Sequence, residues 1–153
     1  MTKLNSYLSL IRFYNPIGFW LLLWPGLWGL FLSDNFNIEN FTIVVLGSFL
    51  TRSLGCAIND FLDRDFDKSV ERTKNRPIAS KELSLSEAGI FIILLASVCI
   101  FLLMQTNPYT IKLVSYVAIP MIILYPLMKR FLAMPQLFLG ATFGLSLPIS
   151  YSI

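Results

Sequence analysis

The chain has 153 residues, of which 56% are hydrophobic and 14% are charged, and its formal net charge is +3. These polar residues are too few to cover the surface of a soluble domain of this size. The composition therefore excludes an ordinary soluble enzyme and indicates an integral membrane protein. The basic residues flank apolar runs and form no separate basic face, which favours anionic lipid and a charged substrate over nucleic acid as partners.

Five apolar segments predict an all-α fold, a polytopic bundle of transmembrane helices, because each is close to the ~20 residues that cross the hydrocarbon core. They cover residues 16–33, 41–60, 87–106, 109–128 and 135–153. Ser84 and Glu87 have capping-box spacing and predict the start of the third segment. Asn107-Pro108 predicts a tight turn before the fourth. With no internal repeat and no soluble stretch, we expect residues 1–153 to form a single membrane domain.

The distribution of lysine and arginine predicts how the segments are oriented, since short cytoplasmic loops are rich in these residues. Most of them lie before the first segment, in the 61–86 loop, or between the fourth and fifth segments. We therefore expect the N-terminus and the 61–86 loop to be cytoplasmic, with Asp34 and Glu39 on the opposite side.

The residue types also limit the chemistry. The chain contains no histidine, the usual general acid–base group and transition-metal ligand. Cys56 and Cys99 lie inside apolar segments, without the spacing of a disulfide framework or a metal site. Any reaction must therefore rest on carboxylates and hard cations.

An acidic turn, residues 59–67, follows the second segment where hydrocarbon gives way to water. If the helix continues through it, Asn59, Asp63 and Asp67 fall on one face at spacings of four, with Asp60 beside them. Carboxylates at such short distances repel one another unless a cation lies among them. Oxygen ligands without His or Cys favour Mg²⁺, which fills its remaining positions with water and phosphate oxygens. The pattern predicts a magnesium–diphosphate site at Asn59, Asp60, Asp63 and Asp67.

Basic residues lie close to this turn in the sequence. Arg72, Lys74 and Arg76 follow in the same loop, and Lys129-Arg130 occupies the next cytoplasmic turn. Arginine pairs bidentately with phosphate oxygens, so these residues are candidates for holding a departing diphosphate. The alternative is that some of them are ordinary interfacial charges that fix topology.

Two further features lie within the membrane segments. Arg52, two helical turns before Asn59, is a candidate for pairing with an acceptor carboxylate, although a structural ion pair is equally consistent with its position. Trp20, Trp24 and Trp28 share a helix face and could stabilise a carbocation, but aromatic residues also serve as membrane anchors.

Several motifs together resemble the UbiA family of membrane prenyltransferases, and within it the 4-hydroxybenzoate subgroup. The matching stretches are Asn59-Asp60-x-x-Asp63-x-x-x-Asp67, Arg72-Thr73-Lys74-Asn75-Arg76-Pro77, Pro16-Ile17-Gly18, Leu21-Leu22-Leu23-Trp24-Pro25, Tyr125-Pro126-x-Met128-Lys129-Arg130, and Pro135-Gln136-x-x-x-Gly140-Ala141-x-Phe143-Gly144.

The resemblance implies a nine-helix bundle, of which about five helices are present, in the bacterial or mitochondrial inner membrane. It implies transfer of a polyprenyl group from polyprenyl diphosphate to 4-hydroxybenzoate, ortho to the hydroxyl, in ubiquinone biosynthesis. Asp60, Asp63 and Asp67 would be catalytic and, with Asn59, would bind Mg²⁺. Arg72, Lys74 and Arg130 would hold the diphosphate.

The family carries a second aspartate-rich motif, and no aspartate follows Asp67 here. The chain is therefore expected to correspond to a truncated N-terminal portion that needs a complementing C-terminal half. A non-catalytic membrane protein that binds prenyl diphosphate or a partner remains the main alternative. A different UbiA-type activity is disfavoured by the Trp24-Pro25 pattern of the first segment.

Overall fold

The computed structural model describes residues 2–124 and 134–153, and every regular element in these ranges is helical. The helices are α1 Lys3–Leu10, α2 Ile17–Leu32, α3 Ile38–Leu62, α4 Arg64–Asp67, α5 Leu85–Leu103, α6 Pro108–Leu124, α7 Pro135–Gly144 and α8 Ser146–Tyr151. The expected all-α fold class is confirmed. The predicted turn containing Lys129 and Arg130 lies outside the described residues.

Two of these helices, α3 and α5, are long and apolar enough to cross a membrane, and α2 and α6 are shorter apolar helices. Of the residues of α5, only Ala88 is buried, while Ile93 and Phe101 are 66% and 67% exposed. An apolar surface of this extent is stable against lipid and not against water. These helices therefore agree with the expected membrane location.

Local capping signals set the helix starts where the sequence places them. Ser84 and Glu87 form a reciprocal capping box, in which the backbone N–H of Ser84 donates to Glu87 Oε2 at 2.8 Å and that of Glu87 donates to Ser84 Oγ at 3.2 Å. The side chain of Asn107 accepts from the backbone N–H groups of Tyr109 and Thr110, both at 2.9 Å, so it caps α6. Both predicted boundaries are confirmed.

Helix α6 contains a π-helical stretch, Val114–Ala118, which ends two residues before Pro120. Proline has no N–H to donate, and its ring clashes with the carbonyl four residues earlier. A wider turn, in which the N–H of Ile119 bonds to the carbonyl of Val114, accommodates this local mismatch.

The chain divides into two compact units, residues 1–16 with 50–99 and residues 17–49 with 100–153. In the first, Leu10, Ala57, Ile78, Leu83 and Ala88 form the core. That core joins α1, the end of α3, the 68–84 loop and the start of α5, so it brings the N-terminal residues next to the acidic turn. The expectation of a single membrane domain stays a prediction.

The second unit is built around close packing of α2 against α8. Ser146 Oγ donates to the carbonyl of Leu22 at 2.8 Å, and Leu23, Leu30 and Val44 form the apolar core. Gly29 is buried where the Leu147 carbonyl approaches, and a Cβ at this position would overlap that oxygen. Trp20, Trp24 and Trp28, at 48%, 53% and 59% exposure, lie on the outside of the unit. This placement favours the anchoring alternative for them.

Gly29→Ala is expected to lower the free energy of unfolding by about 1–3 kcal/mol, the usual cost of overpacking a close contact. Gly140→Ala is the control in the same unit, since nothing lies within 4 Å of a Cβ there. Equilibrium unfolding in detergent micelles measures both. Equal stability of the two variants would contradict the close packing of α2 on α8.

Candidate functional site

The acidic turn retains helical hydrogen bonding across the junction of α3 and α4. The backbone N–H of Asp63 donates to the carbonyl of Asn59 at 2.9 Å, and that of Asp67 donates to the carbonyl of Asp63 at 2.8 Å. The continuous helix that the predicted spacing requires is nevertheless interrupted at Asp63, which lies between the end of α3 at Leu62 and the start of α4 at Arg64. Asn59 and Asp63 are half-buried.

Asp60 is the most enclosed charged group of the turn, with 1% of its surface exposed. Nη2 of Arg12 donates to both of its carboxylate oxygens, at 2.8 Å and 2.9 Å. Nη1 of Arg76 lies 3.1 Å from Asp60 Oδ1. Both oxygens of Asp60 are therefore engaged by guanidinium groups. A carboxylate this deep needs such partners, because an uncompensated buried charge is strongly destabilising.

Asp67 is also buried, at 4% exposure, and shares Arg76 with Asp60. Nη1 of Arg76 donates to Asp67 Oδ2 at 2.8 Å. Nearby, Thr73 Oγ1 donates to the backbone carbonyl of Asp67 at 3.1 Å, which fixes the following loop against the turn. Arg76 thus bridges two acidic side chains that would otherwise repel each other.

Asp65 differs from these two aspartates because its side chain is 72% exposed. Its carboxylate accepts a hydrogen bond from Lys68 Nζ at 2.8 Å, and this bond and the lysine charge lower the pKa of Asp65. Surface pairs of this kind contribute little to stability. Asp65 therefore serves as an internal control for the other acids of the turn.

An open cavity of about 330 Å³ adjoins the buried ion pairs within the first unit. Residues from the end of α1 and from the 72–76 loop line it: Ser9, Arg12, Tyr14, Asn15, Arg72, Thr73, Asn75 and Arg76. We call this cavity the arginine pocket. Its volume is at the lower end of the range of roughly 300–1,000 Å³ found for small-molecule sites.

The predicted diphosphate ligands have different surroundings. Arg72 is exposed and lines the arginine pocket. Lys74 is exposed and pairs with Glu71 at 2.6 Å. Arg130 lies outside the described residues. Arg52 is half-buried in α3, two turns before Asn59.

The oxygen-only donor set of the turn fits Mg²⁺. Among residues 2–124 and 134–153, however, no three His, Cys, Asp or Glu side chains converge as a group that could hold a metal ion. Mg²⁺ commonly takes only one or two carboxylates and completes its shell with water and phosphate oxygens. Asp63 and Asp67, one helical turn apart, fit such a partial site.

Sequence reasoning missed Arg12, which it assigned to topology together with the other basic residues of the N-terminus. Arg12 and Asp60 are 48 positions apart, so no local pattern links them. The polar residues of α1 did not indicate this pairing either. Only the packing of α1 against α3 brings the arginine to the carboxylate.

A model of the UbiA prenyltransferase family matches residues 22–153. The chain belongs to the UbiA prenyltransferase family. A solved structure of a digeranylgeranylglyceryl phosphate synthase in membranes superposes with a TM-score of 0.80 at 25% identity, covering 98% of this chain and 53% of that one. The resemblance inferred from the motifs is therefore confirmed.

Curated relatives within the family are 4-hydroxybenzoate octaprenyltransferases. The protein from Polynucleobacter asymbioticus is 44% identical over 98% of this chain and 53% of its own length. The protein from Polynucleobacter necessarius is 47% identical over 96% of this chain and 52% of its own length. The protein from Vibrio atlanticus is 44% identical over 99% of this chain and 54% of its own length. The chain thus spans about half the length of the relatives it matches, which agrees with the expectation that it represents only part of the family's fold.

Arg76→Gln is expected to destabilise the protein by about 3–5 kcal/mol, because it leaves the carboxylates of Asp60 and Asp67 without their shared cation. Lys74→Gln, two positions away in the same loop, breaks only an exposed pair and should cost less than about 1 kcal/mol. Equilibrium unfolding in detergent compares the two. Similar losses of unfolding free energy in the two variants would show that Arg76 does not stabilise the acidic turn.

Proposed function

We propose that this chain supplies the donor-binding part of a magnesium-dependent aromatic prenyltransferase. In the proposed reaction, a polyprenyl group moves from its diphosphate to 4-hydroxybenzoate, ortho to the hydroxyl, as a step of ubiquinone biosynthesis. The observation that carries the choice of substrates is identity of 44–47% across almost the whole chain to relatives named 4-hydroxybenzoate octaprenyltransferase. The acidic turn beside a cluster of arginines supports the same chemistry.

In this proposal Asn59, Asp63 and Asp67 hold Mg²⁺ together with oxygens of the diphosphate. Asp67 Oδ2 accepts from Arg76, and a carboxylate has lone pairs for a second partner. Asp60 was also predicted as a metal ligand and catalytic residue, but both of its oxygens already accept from arginine. We therefore assign the metal to the other three side chains.

The basic residues would act on the leaving group. Arg72, Lys74 and Arg130 would hold the diphosphate, since guanidinium and ammonium groups stabilise the charge that develops on it. Arg52, deeper along α3, would pair with the carboxylate of the acceptor. Such a pair would orient the phenol ring towards the allylic carbon of the donor.

The proposed reaction balances without histidine or a covalent nucleophile. The allylic C–O bond breaks and diphosphate leaves with the electron pair. The ring carbon ortho to the hydroxyl attacks the allylic carbon, and the proton on that ring carbon is lost to water. When bound, Mg²⁺ would supply charge neutralisation for the diphosphate.

The same proposal places the protein in a bacterial or mitochondrial inner membrane, with the N-terminus and the 61–86 loop on the cytoplasmic side. The prenyl tail would stay in membrane lipid during the reaction. The chain spans about half the length of its curated relatives, so the proposal includes a complementing C-terminal half as a partner.

The proposal predicts labelled product from prenyl diphosphate and 4-hydroxybenzoate, dependent on Mg²⁺, in membranes that contain residues 1–153 and a C-terminal half from a relative. Asp63→Ala should lower the rate about 100-fold or more, because it removes a proposed metal ligand facing the leaving group. Asp65→Ala is the control, since its carboxylate is 72% exposed and pairs with the neighbouring Arg64 and Lys68.

Absence of product in the complemented membranes, or equal rates for the two alanine variants, would contradict the proposal. Residues 1–153 alone provide a further comparison. Mg²⁺-dependent retention of prenyl diphosphate without turnover, in both preparations, would favour a non-catalytic binding protein.

A further inference from the structure

We propose that α1 is an interfacial helix, which lies in the plane of the membrane and inserts Leu4, Leu8 and Ile11 into the boundary between lipid headgroups and acyl chains. The partner is the lipid itself, and no step of the proposed prenyl transfer enters the inference. Every contact on which it rests lies within the first unit.

The two ends of α1 are held at the ends of two different membrane-crossing helices. Near its start, Lys3 Nζ donates to Glu87 Oε1 in the first turn of α5. Just after its end, Arg12 donates to Asp60 in the last turn of α3. Residues 63–84 join these two helix ends and contain only the four-residue α4, which is too short to cross the bilayer. Both ends of α1 therefore lie at the same membrane surface.

The contacts between the two ends of α1 keep to the same depth. Ser6 Oγ donates to Glu82 Oε2 at 2.8 Å, before α5 begins. The ring of Tyr7 lies 4.9 Å from that of Phe91, in the second turn of α5. The eight residues of α1 span about 12 Å, yet these partners stay within or before the first two turns of α5. The helix thus runs across the start of α5 and does not follow it into the bilayer.

One side of α1 is apolar and turned away from the core. Leu4, Leu8 and Ile11 recur at spacings of four and three, which places them on a common side of the helix. Leu4 is 68% exposed, and the other two are half-buried. Ser6 and Leu10, the buried residues of α1, fall on the opposite side. The helix is therefore amphipathic, with its apolar side available to a partner outside the unit.

Lipid is the partner found at this depth. Where α1 packs on α5, that helix exposes Ile90 at 61% and Leu94 at 59%, an apolar surface that is stable against lipid. Tyr14, which is 62% exposed just after α1, belongs to a residue type enriched at membrane–water interfaces. Interfacial helices bury their apolar side about 5–10 Å into the boundary of headgroups and acyl chains.

The charges of the segment disfavour other partners. Lys3 and Arg12 are the basic residues of positions 1–16, and each pairs with an acid of the same unit. Little positive charge is left for an acidic protein or for anionic headgroups, so binding must come from the apolar side chains. Three aliphatic side chains offer far less than the roughly 800 Å² per partner that a stable protein interface buries.

Photocrosslinking identifies what contacts α1. The photoreactive amino acid p-benzoylphenylalanine replaces Leu4 in one preparation and Asn5 in another, with residues 1–153 in phosphatidylcholine nanodiscs, alone and with the C-terminal half of a relative. Asn5 is the control, because it is the exposed neighbour of Leu4 outside the apolar side. We expect phospholipid adducts at position 4, with and without the C-terminal half, at several times the yield found at position 5.

Two results of this experiment would overturn the inference. Adducts of position 4 with the C-terminal half or with a second copy of the chain would assign the apolar side of α1 to a protein partner. Equal yields of lipid adduct at positions 4 and 5 would show that the helix has no side directed at the lipid.

The in-plane orientation is tested by depth-dependent quenching. An environment-sensitive fluorescent amino acid at position 4 or 11 is quenched by phospholipids that carry bromine at defined depths of the acyl chain. A helix in the membrane plane places both probes at the same shallow depth, whereas a helix that enters the bilayer separates them by about 10 Å, at 1.5 Å per residue. Different depths, or no quenching at either position, would overturn the orientation.

Leu4→Asp and Asn5→Asp separate lipid contact from the folding of α1. Both variants add the same charge to an exposed side chain in the first turn of α1, so the effect of the helix dipole is matched. Only Leu4→Asp places the charge against acyl chains, so hydrogen exchange of the α1 amides in nanodiscs should be severalfold faster in this variant and unchanged in Asn5→Asp. Equal exchange in the two variants would overturn the lipid contact.

The inference and the proposed function fail separately. Absence of prenylated product in complemented membranes, with lipid adducts at position 4 intact, would reject the proposed function and leave the interfacial helix standing. Product without lipid adducts at position 4 would reject the interfacial helix alone.

Discussion

The buried carboxylate of Asp60 is the constraint on which the acidic turn depends. It is 1% exposed and accepts hydrogen bonds from Arg12, and Arg76 joins it to a second buried acid, Asp67. Burying two acids at the end of a membrane helix is unfavourable unless cations accompany them. The two arginines meet that requirement, and in doing so they tie α1 and the 72–76 loop to the end of α3.

This arrangement separates two kinds of aspartate in one short stretch of sequence. Asp60 has both carboxylate oxygens engaged by arginines, whereas Arg76 bonds Asp67 through Oδ2, and in the proposed function Asp67 and Asp63 also offer oxygen to a cation. The first kind holds the structure of the site, and the second suits magnesium–diphosphate chemistry. A single motif can therefore supply both the structural support and the proposed metal ligands of a prenyltransferase site.

Much of the fold followed from the sequence because its signals are local. Apolar runs predicted the helices, Ser84 and Glu87 predicted the start of α5, and Asn107 marked the start of α6. The acidic turn was recognised for the same reason. The pairing of Arg12 with Asp60 could not be predicted, since it depends on helix packing between residues 48 positions apart. The close approach of Gly29 to Leu147 could not be predicted from the sequence for the same reason.

A double-mutant cycle between Arg12→Gln and Asp60→Asn tests the central claim most directly, with the free energy of unfolding measured in detergent for the two single variants and the double variant. A direct buried ion pair predicts a coupling energy within about 0.5–3 kcal/mol, with the double variant more stable than the sum of the single losses implies. Additive losses would contradict the account, because they would show that the two side chains do not stabilise the turn through each other.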